Sequence, residues 1–330
     1  MTRNKTVLVS GIGKRNALLS LLGAECEARG ADLLGCDALD WPPARIAVNE
    51  FAMVPSAQES GFVMAYADLL ERKAVSAFLT LIDPEIVPLG EMEVAGMSAG
   101  ASFLHPVPQT ARICEDKYQF FEVMQAGGIP TIPTFLMPPE VGPFIRKDRS
   151  GSAASGFRVY HERPAATTIE REREQGRYIY QPFCRGHHYC VDAYFSIHDG
   201  SLNGFCAKRI LLKSNGESYL VESVDRERFR AVIEAVAAVL PMRGIVNFDI
   251  YDTDGMLSVM EVNCRIGGNY PASHSFGCNL LVPLFDEILD GKKAAPVADV
   301  RHGQRVAKYF TFSPAFDPTA VSRPATQPRE

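Results

Sequence analysis

The stretch from Val246 to Arg265, VNFDIYDTDGMLSVMEVNCR, decides the fold. It contains two apolar runs on either side of an Asp-Gly turn, and within these runs the polar residues occupy odd-numbered positions. A period of two is typical of paired β-strands, in which one face packs and the other stays polar. The apolar set is Val246, Phe248, Ile250, Met260 and Val262, and the polar set is Asn247, Asp249, Glu261, Asn263 and Arg265.

The turn determines whether the two polar sets share a face. A plain two-residue turn at Asp254 and Gly255 would pair odd with even positions and would separate Asp249 from Glu261. A loop with an odd number of residues, or a β-bulge beside the turn, would bring them together. We therefore predict one of these two irregularities in the hairpin.

Oxygen ligands on one face of this hairpin favour a magnesium site. Mg²⁺ takes one or two carboxylates and completes its octahedron with water and phosphate oxygens, so Asp249, Glu261 and Asn263 suit it. Arg265 would face the same phosphates. The alternative is a solvated sheet face, where alternating polar residues commonly lie.

Bulk properties indicate a soluble protein that acts on small molecules. The chain has 330 residues, of which 46% are hydrophobic, and this length suggests about two domains. The net charge of −5 favours neither nucleic acid nor an anionic membrane as a partner. The eight cysteines contain no CxxC pair, and no secretory signal or membrane-length apolar run is present. We therefore expect reduced thiols and a cytoplasmic location.

Strand and helix patterns alternate up to residue 105 and then become irregular. A strand at Val7–Ser10, a helix at Asn16–Arg29 and a second strand at Asp32–Asp37 begin a parallel α/β domain, predicted over residues 1–105. A helix near residues 115–125 opens an α+β unit with antiparallel sheets. The Pro- and Thr-rich residues 314–330 are predicted to be disordered.

The first loop, Gly11-x-Gly13, is a weak dinucleotide motif. Asn16 stands where the third glycine of that fingerprint belongs, so a tight strand-to-helix turn is at least as good an interpretation. Of the ligands that this loop could hold, a substrate anion at the helix N-terminus is preferable to NAD.

A second small-residue loop follows a strand that ends in a lysine. Lys147 precedes SGSAASGF, in which Gly151, Ser152, Ser155 and Gly156 would let backbone N–H groups approach phosphate oxygens. It is not a Walker A loop, because Phe157 and Arg158 occupy the Lys and Ser/Thr positions. Taken alone, it could be only a hairpin turn.

These motifs occur in an order that resembles the ATP-grasp superfamily, specifically its carbamoyl-phosphate-synthetase-like carboxylate–amine ligases. The matching series is Lys117, Lys147 with its loop, Gln181-Pro182-Phe183, and Asp249 with Glu261-x-Asn263-x-Arg265. The segments at residues 79–85 and 126–130 also match, and the resemblance runs from Val7 to about Gly291.

The resemblance implies a Rossmann-like pre-ATP-grasp domain followed by a two-lobed ATP-grasp domain at 106–313. The first lobe would cover about 115–180 and the second about 181–313. It also implies an ATP-dependent ligase that forms an amide or peptide bond through an acyl phosphate and releases ADP and phosphate. One or two Mg²⁺ ions are implied, with Mn²⁺ as a substitute.

Residue roles follow from the same resemblance. The metal would bind Asp249, Glu261 and Asn263, and Arg265 and Lys147 would be catalytic. ATP would contact Lys117, Lys147, Gly151, Ser152, Ser155, Gly156, Gln181, Pro182, Phe183, Cys184, His188 and Lys208. His188 departs from the family pattern, which commonly has glutamate there, and Pro182 departs in the same way. His188 therefore binds the ribose, faces the substrate or is structural.

The substrate side would lie after Arg265, at Gly267, Gly268, Asn269, Tyr270 and His274. We expect a small-molecule carboxylate and an amine, with an amino acid or short peptide as one of them, and the resemblance leaves a homodimer open. Two alternatives remain: an NAD-dependent oxidoreductase built on Gly11-x-Gly13, and a non-catalytic nucleotide-binding protein.

Overall fold

The computed structural model describes residues 5–151, 156–214, 216–297 and 300–309. The predictions for Ser152, Ser155 and the 314–330 tail fall outside the described residues. Among the described helices, none combines the length and apolar character needed to cross a membrane. All eight cysteines are free thiols, and every one except Cys184 is buried.

The described N-terminal part forms a parallel α/β layer, as predicted. Its five strands lie in the order β3-β2-β1-β4-β5, and every neighbouring pair is parallel. Both faces of β1 and β4 are covered, because Val7, Leu8, Ala77 and Phe78 are all buried. The strands are β1 (Lys5–Ser10), β2 (Ala31–Asp37), β3 (Glu50–Met53), β4 (Val75–Thr80) and β5 (Ser102–Phe103), and the helices are α1 (Asn16–Glu27), α2 (Phe62–Arg72) and α3 (Asp83–Val94), with a short 3₁₀ turn at Pro43–Ala47.

A smaller antiparallel sheet follows, in the order β7-β6-β8. Two helices precede it, and the second begins at Asp116, whose carboxylate accepts hydrogen bonds from the N–H groups of Tyr118 and Gln119. The helix predicted near 115–125 is the second of these, and the cap at Asp116 separates it from the first helix, which was not predicted from the sequence. The elements are α4 (Pro108–Glu115), α5 (Lys117–Ala126), β6 (Phe144–Asp148), β7 (Arg158–Tyr160), α6 (Ala166–Gln175) and β8 (Tyr178–Pro182).

The remaining described residues build an antiparallel sheet in the order β13-β12-β9-β10-β11-β14. One helix of this part, at Glu227–Val239, packs Phe229, Ile233 and Val236 into the core. The elements are β9 (His187–Phe195), β10 (Leu202–Ser214), β11 (Glu217–Ser223), α7 (Glu227–Val239), β12 (Gly244–Thr253), β13 (Met256–Asn263), α8 (Tyr270–Ser275), α9 (Leu281–Ile288) and β14 (Arg305–Ala307).

The hairpin of β12 and β13 contains the predicted irregularity. Its turn has two residues, Asp254 and Gly255, both with positive φ, and Thr253 pairs with Met256 across it. The register then shifts, because Ile250 pairs with Val259 while Asp249 pairs with Glu261. Met260 is the extra residue of a β-bulge, which confirms the prediction.

The bulge also corrects the expected alternation at one position. Met260 is only half-buried, and Val259, which is 0% exposed, takes its place in the core beside Ile250. An extra residue reverses the side-chain parity of everything on one side of it, so the simple even-odd pattern holds only beyond the bulge. Phe248 and Val262 follow the predicted pattern and are buried.

The parallel layer packs directly against the six-stranded sheet, and His105 is at the centre of the contact. Its Nε2 accepts a hydrogen bond from the Thr80 N–H at 2.9 Å, and its Nδ1 donates to the Cys264 carbonyl oxygen at 2.6 Å. Two ion pairs cross the same interface, Arg243 with Glu93 at 2.8 Å and Arg29 with Asp286 at 2.7 Å.

His105 makes the free energy of unfolding depend on pH. Its ring is 1% exposed, and burial, helped by the charges of Arg243 and Arg265 against that of Asp83, lowers its pKa from 6.5 to about 4. The unfolded chain therefore binds the proton first, and stability falls as the pH drops from about 6.5 towards 4. We expect a loss of about 2 kcal/mol between pH 7 and pH 5, measured by urea unfolding.

The variant His105→Gln isolates this contribution. Its unfolding free energy should fall less between pH 7 and pH 5 than that of the unsubstituted protein, whatever its stability at pH 7. His302 is exposed, so His302→Gln serves as the control and should keep the original pH dependence. Equal pH dependence in both variants would contradict the assignment to His105.

Candidate active site

One face of the six-stranded sheet collects the polar residues predicted from the sequence. Asp249 lies opposite Glu261 on β13 and opposite Cys190 on β9. Asn247 lies opposite Asn263 on one side and Asp192 on the other. Since directly paired residues in an antiparallel sheet point to the same face, these groups line one surface.

The oxygen groups at its centre fit a magnesium ion bound together with a nucleotide. The Asn263 side-chain amide lies 3.4 Å from Asp249 Oδ2, and Glu261 has its carboxylate 25% exposed on the same face. No group of three or more His, Cys, Asp or Glu residues in the described segments forms a metal cluster. Two carboxylates and one carboxamide are nevertheless the donors that Mg²⁺ uses when phosphates and water supply its other ligands.

His188 is hydrogen bonded to the predicted metal ligand Asp249, with its Nε2 2.7 Å from Asp249 Oδ1. Its ring stacks on Tyr251 at 4.5 Å between centroids, and its Nδ1 is buried without a hydrogen-bond partner. Burial raises the pKa of Asp249, but the hydrogen bond and charge of His188 outweigh it, so the pKa lies below its usual value. His188 therefore orients Asp249, and its contact with ATP stays a prediction.

Two lysines from the smaller sheet and its helix approach the hairpin. Lys147, at 8% exposure on β6, places Nζ 3.7 Å from Glu261 Oε2. Lys117, the first residue of α5, donates to the Gly151 carbonyl oxygen at 2.7 Å. Burial lowers the pKa of Lys117, and the nearby Lys147 charge acts in the same direction. Both ammonium groups thus lie near the Glu261 carboxylate of the hairpin.

Gly156 has no room for a side chain and has a backbone conformation that favours glycine. A Cβ there would lie 2.2 Å from Asp148 Oδ1, and φ is +67°.

Residues 181–184, which are predicted to contact ATP, join the two antiparallel sheets. Gln181 turns its side chain into the core, where Nε2 donates to Thr134 Oγ1 at 2.8 Å. The Phe183 N–H donates to the Pro143 carbonyl oxygen at 3.1 Å, and its ring is 43% exposed. Burial raises the pKa of the Cys184 thiol. These contacts restrain the segment from Gln181 through Pro182 to Cys184, and its contact with ATP stays a prediction.

Arg265 links the hairpin to the parallel layer. Its Nη2 donates to Asn263 Oδ1 at 3.2 Å and to Asp83 Oδ2 at 3.0 Å, and its Nε lies 3.0 Å from Asp83 Oδ1. Asp83 begins α3 in the N-terminal layer. The arginine predicted from the hairpin is therefore held by a residue 182 positions earlier in the chain.

A buried ionic network lies on the same sheet face. Lys208 is ion-paired with Asp192, and both side chains are 0% exposed. Ser273 donates to Asp192 Oδ2 at 2.7 Å and accepts from Lys208 at 2.5 Å, while Asn247 donates to Asp192 Oδ1 at 2.8 Å. Burial lowers the pKa of Lys208, but the Asp192 charge outweighs this and raises it. Lys208 has no exposed surface from which to bind a phosphate, so its predicted contact with ATP lacks structural support.

Residues 267–274 form the wall beside this network. Gly267 lies against it so closely that a Cβ would be 2.7 Å from Asp192 Oδ1, whereas Gly268 is open. Tyr270 is 0% exposed and its hydroxyl accepts from the Leu280 and Leu281 N–H groups, which is a structural role. Asn269 is buried, and His274 is half-buried on α8. Direct substrate contact stays a prediction for Gly267, Gly268, Asn269 and His274 and is not favoured for Tyr270.

Sequence reasoning missed Asp83, Ser273 and the network role of Asp192. Asp83 lies in the segment at residues 79–85 that matches the family, but the resemblance gives it no role. Ser273 belongs to no motif in the sequence. Their partners lie far away in the chain: Ser273 meets Asp192 across 81 positions. Such contacts are set by tertiary packing and have no signature in a single sequence.

Both parts of the chain match models of known protein families. Residues 114–269 match the family model described as the ATP-grasp domain, and residues 7–102 match the PylC-like N-terminal domain. These matches confirm the resemblance and the fold class that we drew from the sequence. No curated protein sequence matches the chain.

Solved structures share the fold at low sequence identity. A biotin carboxylase from Campylobacter jejuni in a complex with β,γ-ATP has a TM-score of 0.69 and 16% identity, covering 91% of this chain and 74% of that one. An L-amino acid ligase from Bacillus licheniformis has a TM-score of 0.64 and 18% identity, covering 88% and 75%. A carboxyaminoimidazole ribonucleotide synthase from Aspergillus clavatus, complexed with ATP, has a TM-score of 0.70 and 15% identity, covering 92% and 81%.

The two adjacent glycines of the wall allow a matched test of the buried network. Neither has a positive φ, so alanine is compatible with the backbone at both positions. We expect Gly267→Ala to lower the free energy of unfolding by roughly 1–3 kcal/mol, because its Cβ overpacks Asp192 and Asn247. Gly268→Ala should change it by less than about 0.5 kcal/mol. Equal unfolding free energies in urea would contradict this account of the wall.

Proposed function

We propose, from the premise that the chain belongs to the ATP-grasp superfamily, that it is an ATP-dependent carboxylate–amine ligase. The observation that carries this proposal is the shared face of Asp249, Glu261 and Asn263, with Lys147 and Arg265 at its edges. Phosphoryl transfer requires positioning and charge neutralisation more than a covalent catalyst. This arrangement offers both.

The residues present suit Mg²⁺, which would be held by Asp249 and Glu261 with Asn263 beside them. When bound, the metal would neutralise phosphate charge and orient the γ-phosphate for transfer. One ion or two would fit the same carboxylates, and Mn²⁺ accepts the same oxygen donors.

In the proposed reaction, a carboxylate oxygen of the acid bonds to the γ-phosphorus of ATP, and the bond to the bridging oxygen breaks to release ADP. The amine nitrogen then bonds to the acyl carbon, phosphate leaves and the nitrogen loses a proton. Lys117 and Lys147 neutralise the phosphates. Arg265 neutralises the charge that develops on the transferred group. No nucleophilic side chain takes part in this reaction.

The substrates are proposed to be a small carboxylic acid and an amine, one of them an amino acid or short peptide. An L-amino acid ligase with the same fold supports this choice by analogy, since fold alone does not specify substrate. The ATP complexes of two structures with this fold support the nucleotide. The amide or peptide product follows from these two substrate classes.

The NAD alternative has little support from the first loop. The Gly13 N–H donates to Asp37 Oδ2 at 2.8 Å, and the Leu39 N–H donates to Asp37 Oδ1 at 2.9 Å. The carboxylate at the end of the second strand, which would bind a ribose in a dinucleotide site, is therefore occupied by the backbone. A non-catalytic nucleotide-binding protein would not need Arg265 and both carboxylates together.

The proposal predicts ADP and phosphate release that requires an acid, an amine and Mg²⁺ together. A screen of amino acid pairs for ADP formation would identify the substrates, and EDTA should abolish the release. Glu261→Gln should lower the rate by roughly 100-fold or more, because it removes one charge from the sheet face shared by Asp249, Glu261 and Asn263, hereafter the metal face. The measurement is a coupled ADP assay alongside product mass spectrometry.

Glu222→Gln is the matched control for this substitution. Glu222 lies on the same sheet and is ion-paired with Arg209 at 2.6 Å and Arg305 at 2.9 Å, so its replacement also removes ion pairs, away from the hairpin. It should leave the rate within about twofold. Formation of AMP and pyrophosphate, or equal rates in the two variants, would overturn the proposal.

A further inference from the structure

The contact between Asp83 and Arg265 brings the N-terminal layer into the proposed phosphoryl-transfer site. Both oxygens of Asp83 face the guanidinium group, with contacts of 3.0 Å to Nη2 and to Nε. The two side chains are 20% and 13% exposed, so water screens their attraction only partly. Without Asp83, the guanidinium group keeps only Asn263 Oδ1 at 3.2 Å and the Ile266 carbonyl oxygen at 3.4 Å.

The backbone fixes Asp83 firmly. It begins α3 immediately after Ile82, and Pro84 occupies the first turn of that helix. Ile82 packs against Gly11 so closely that a Cβ on Gly11 would be 2.8 Å from Ile82 Cγ1. The position of Asp83 is therefore set by the parallel layer and does not depend on the hairpin.

Asp83 is also a counter-ion in a region with more than one guanidinium group. Arg15 donates to the Gly11 carbonyl oxygen at 2.8 Å, and no carboxylate of the described residues lies within ion-pairing distance of it. Burial and the charge of Arg265 lower the pKa of Arg15, while the charge of Asp83 opposes this. One carboxylate thus reduces the repulsion between two arginines at the edge of the cleft.

We propose that Asp83 is a positioning residue for the phosphoryl-transfer step. It holds the Arg265 guanidinium group over the metal face so that it can meet the transferred phosphoryl group without first being ordered. The inference rests on the proposed function of Arg265. It makes the N-terminal layer part of the catalytic centre through a single side chain.

The test compares Asp83→Asn with Glu93→Gln. Glu93 is paired with Arg243 across the same interface at 2.8 Å, so its loss removes an equivalent ion pair at a distance from the metal face. Asp83→Asn should lower kcat by roughly 10- to 100-fold and change the KM for ATP by less than about threefold. Glu93→Gln should leave both constants within about twofold. Equal effects of the two substitutions on kcat would overturn the inference, because Asp83 would then only join the two parts of the chain.

A second background tests whether Asp83 acts through Arg265. In the Arg265→Lys background, adding Asp83→Asn should lower kcat by less than about a further twofold, because the guanidinium group that Asp83 positions is already gone. A further 10-fold or greater decrease in kcat would mean that Asp83 acts on another group, and it would also overturn the inference.

A spectroscopic measurement separates this inference from the proposed function. The arginine Nη–H resonance that disappears in Arg265→Lys identifies Arg265, and it should be shifted from the free arginine position in the unsubstituted protein, because Nη2 donates to Asp83 Oδ2. Asp83→Asn should move it towards that position, and Glu93→Gln should not. If no acid and amine pair gives ADP, the proposed function fails while this spectrum still decides the inference. An unchanged resonance in Asp83→Asn overturns the inference even where the protein turns over.

Discussion

The face shared by Asp249 and Glu261 is the constraint on which the remainder of the site depends. Side chains alternate along a strand, so a two-residue turn alone would place these carboxylates on opposite faces of the sheet. The bulge at Met260 reverses the parity between the turn and Asp249. Val259 then fills the core in place of Met260. The same local irregularity therefore serves packing on one face and brings the predicted metal ligands together on the other.

The basic groups of the site each have a partner within the protein. Lys147 lies near Glu261, Arg265 is paired with Asp83, His188 is hydrogen bonded to Asp249, and Lys117 donates to the Gly151 carbonyl oxygen. Isolated charges in a partly buried cleft would cost free energy, so each has an opposite or hydrogen-bonding partner. Phosphate oxygens and Mg²⁺ would replace these partners, and the site can be stable both before and after nucleotide binding.

Local patterns allowed the shared polar face and the bulge of the hairpin to be predicted, because both follow from the period of a strand and the length of a turn. The parallel layer followed from strand and helix alternation. The family resemblance supplied the order of Lys117, Lys147 and the hairpin. Burial of Lys208 could not be predicted, because its environment depends on Asp192 and Ser273, which other elements bring to it. The contact of Asp83 could not be predicted for the same reason, since it depends on Arg265, which another part of the chain contributes.

The contacts of residues 263–265 explain why the two parts of the chain need each other. Asn263 touches Asp249, the Cys264 carbonyl oxygen receives the His105 N–H, and Arg265 is held by Asp83. Two of these three consecutive residues are therefore fixed by groups of the N-terminal layer. Among the described strands, β13 is an outermost strand of the six-stranded sheet, so the bonds from the N-terminal layer stabilise its end. That strand end carries both Asn263, a predicted metal ligand, and Arg265, which is predicted to face the phosphates.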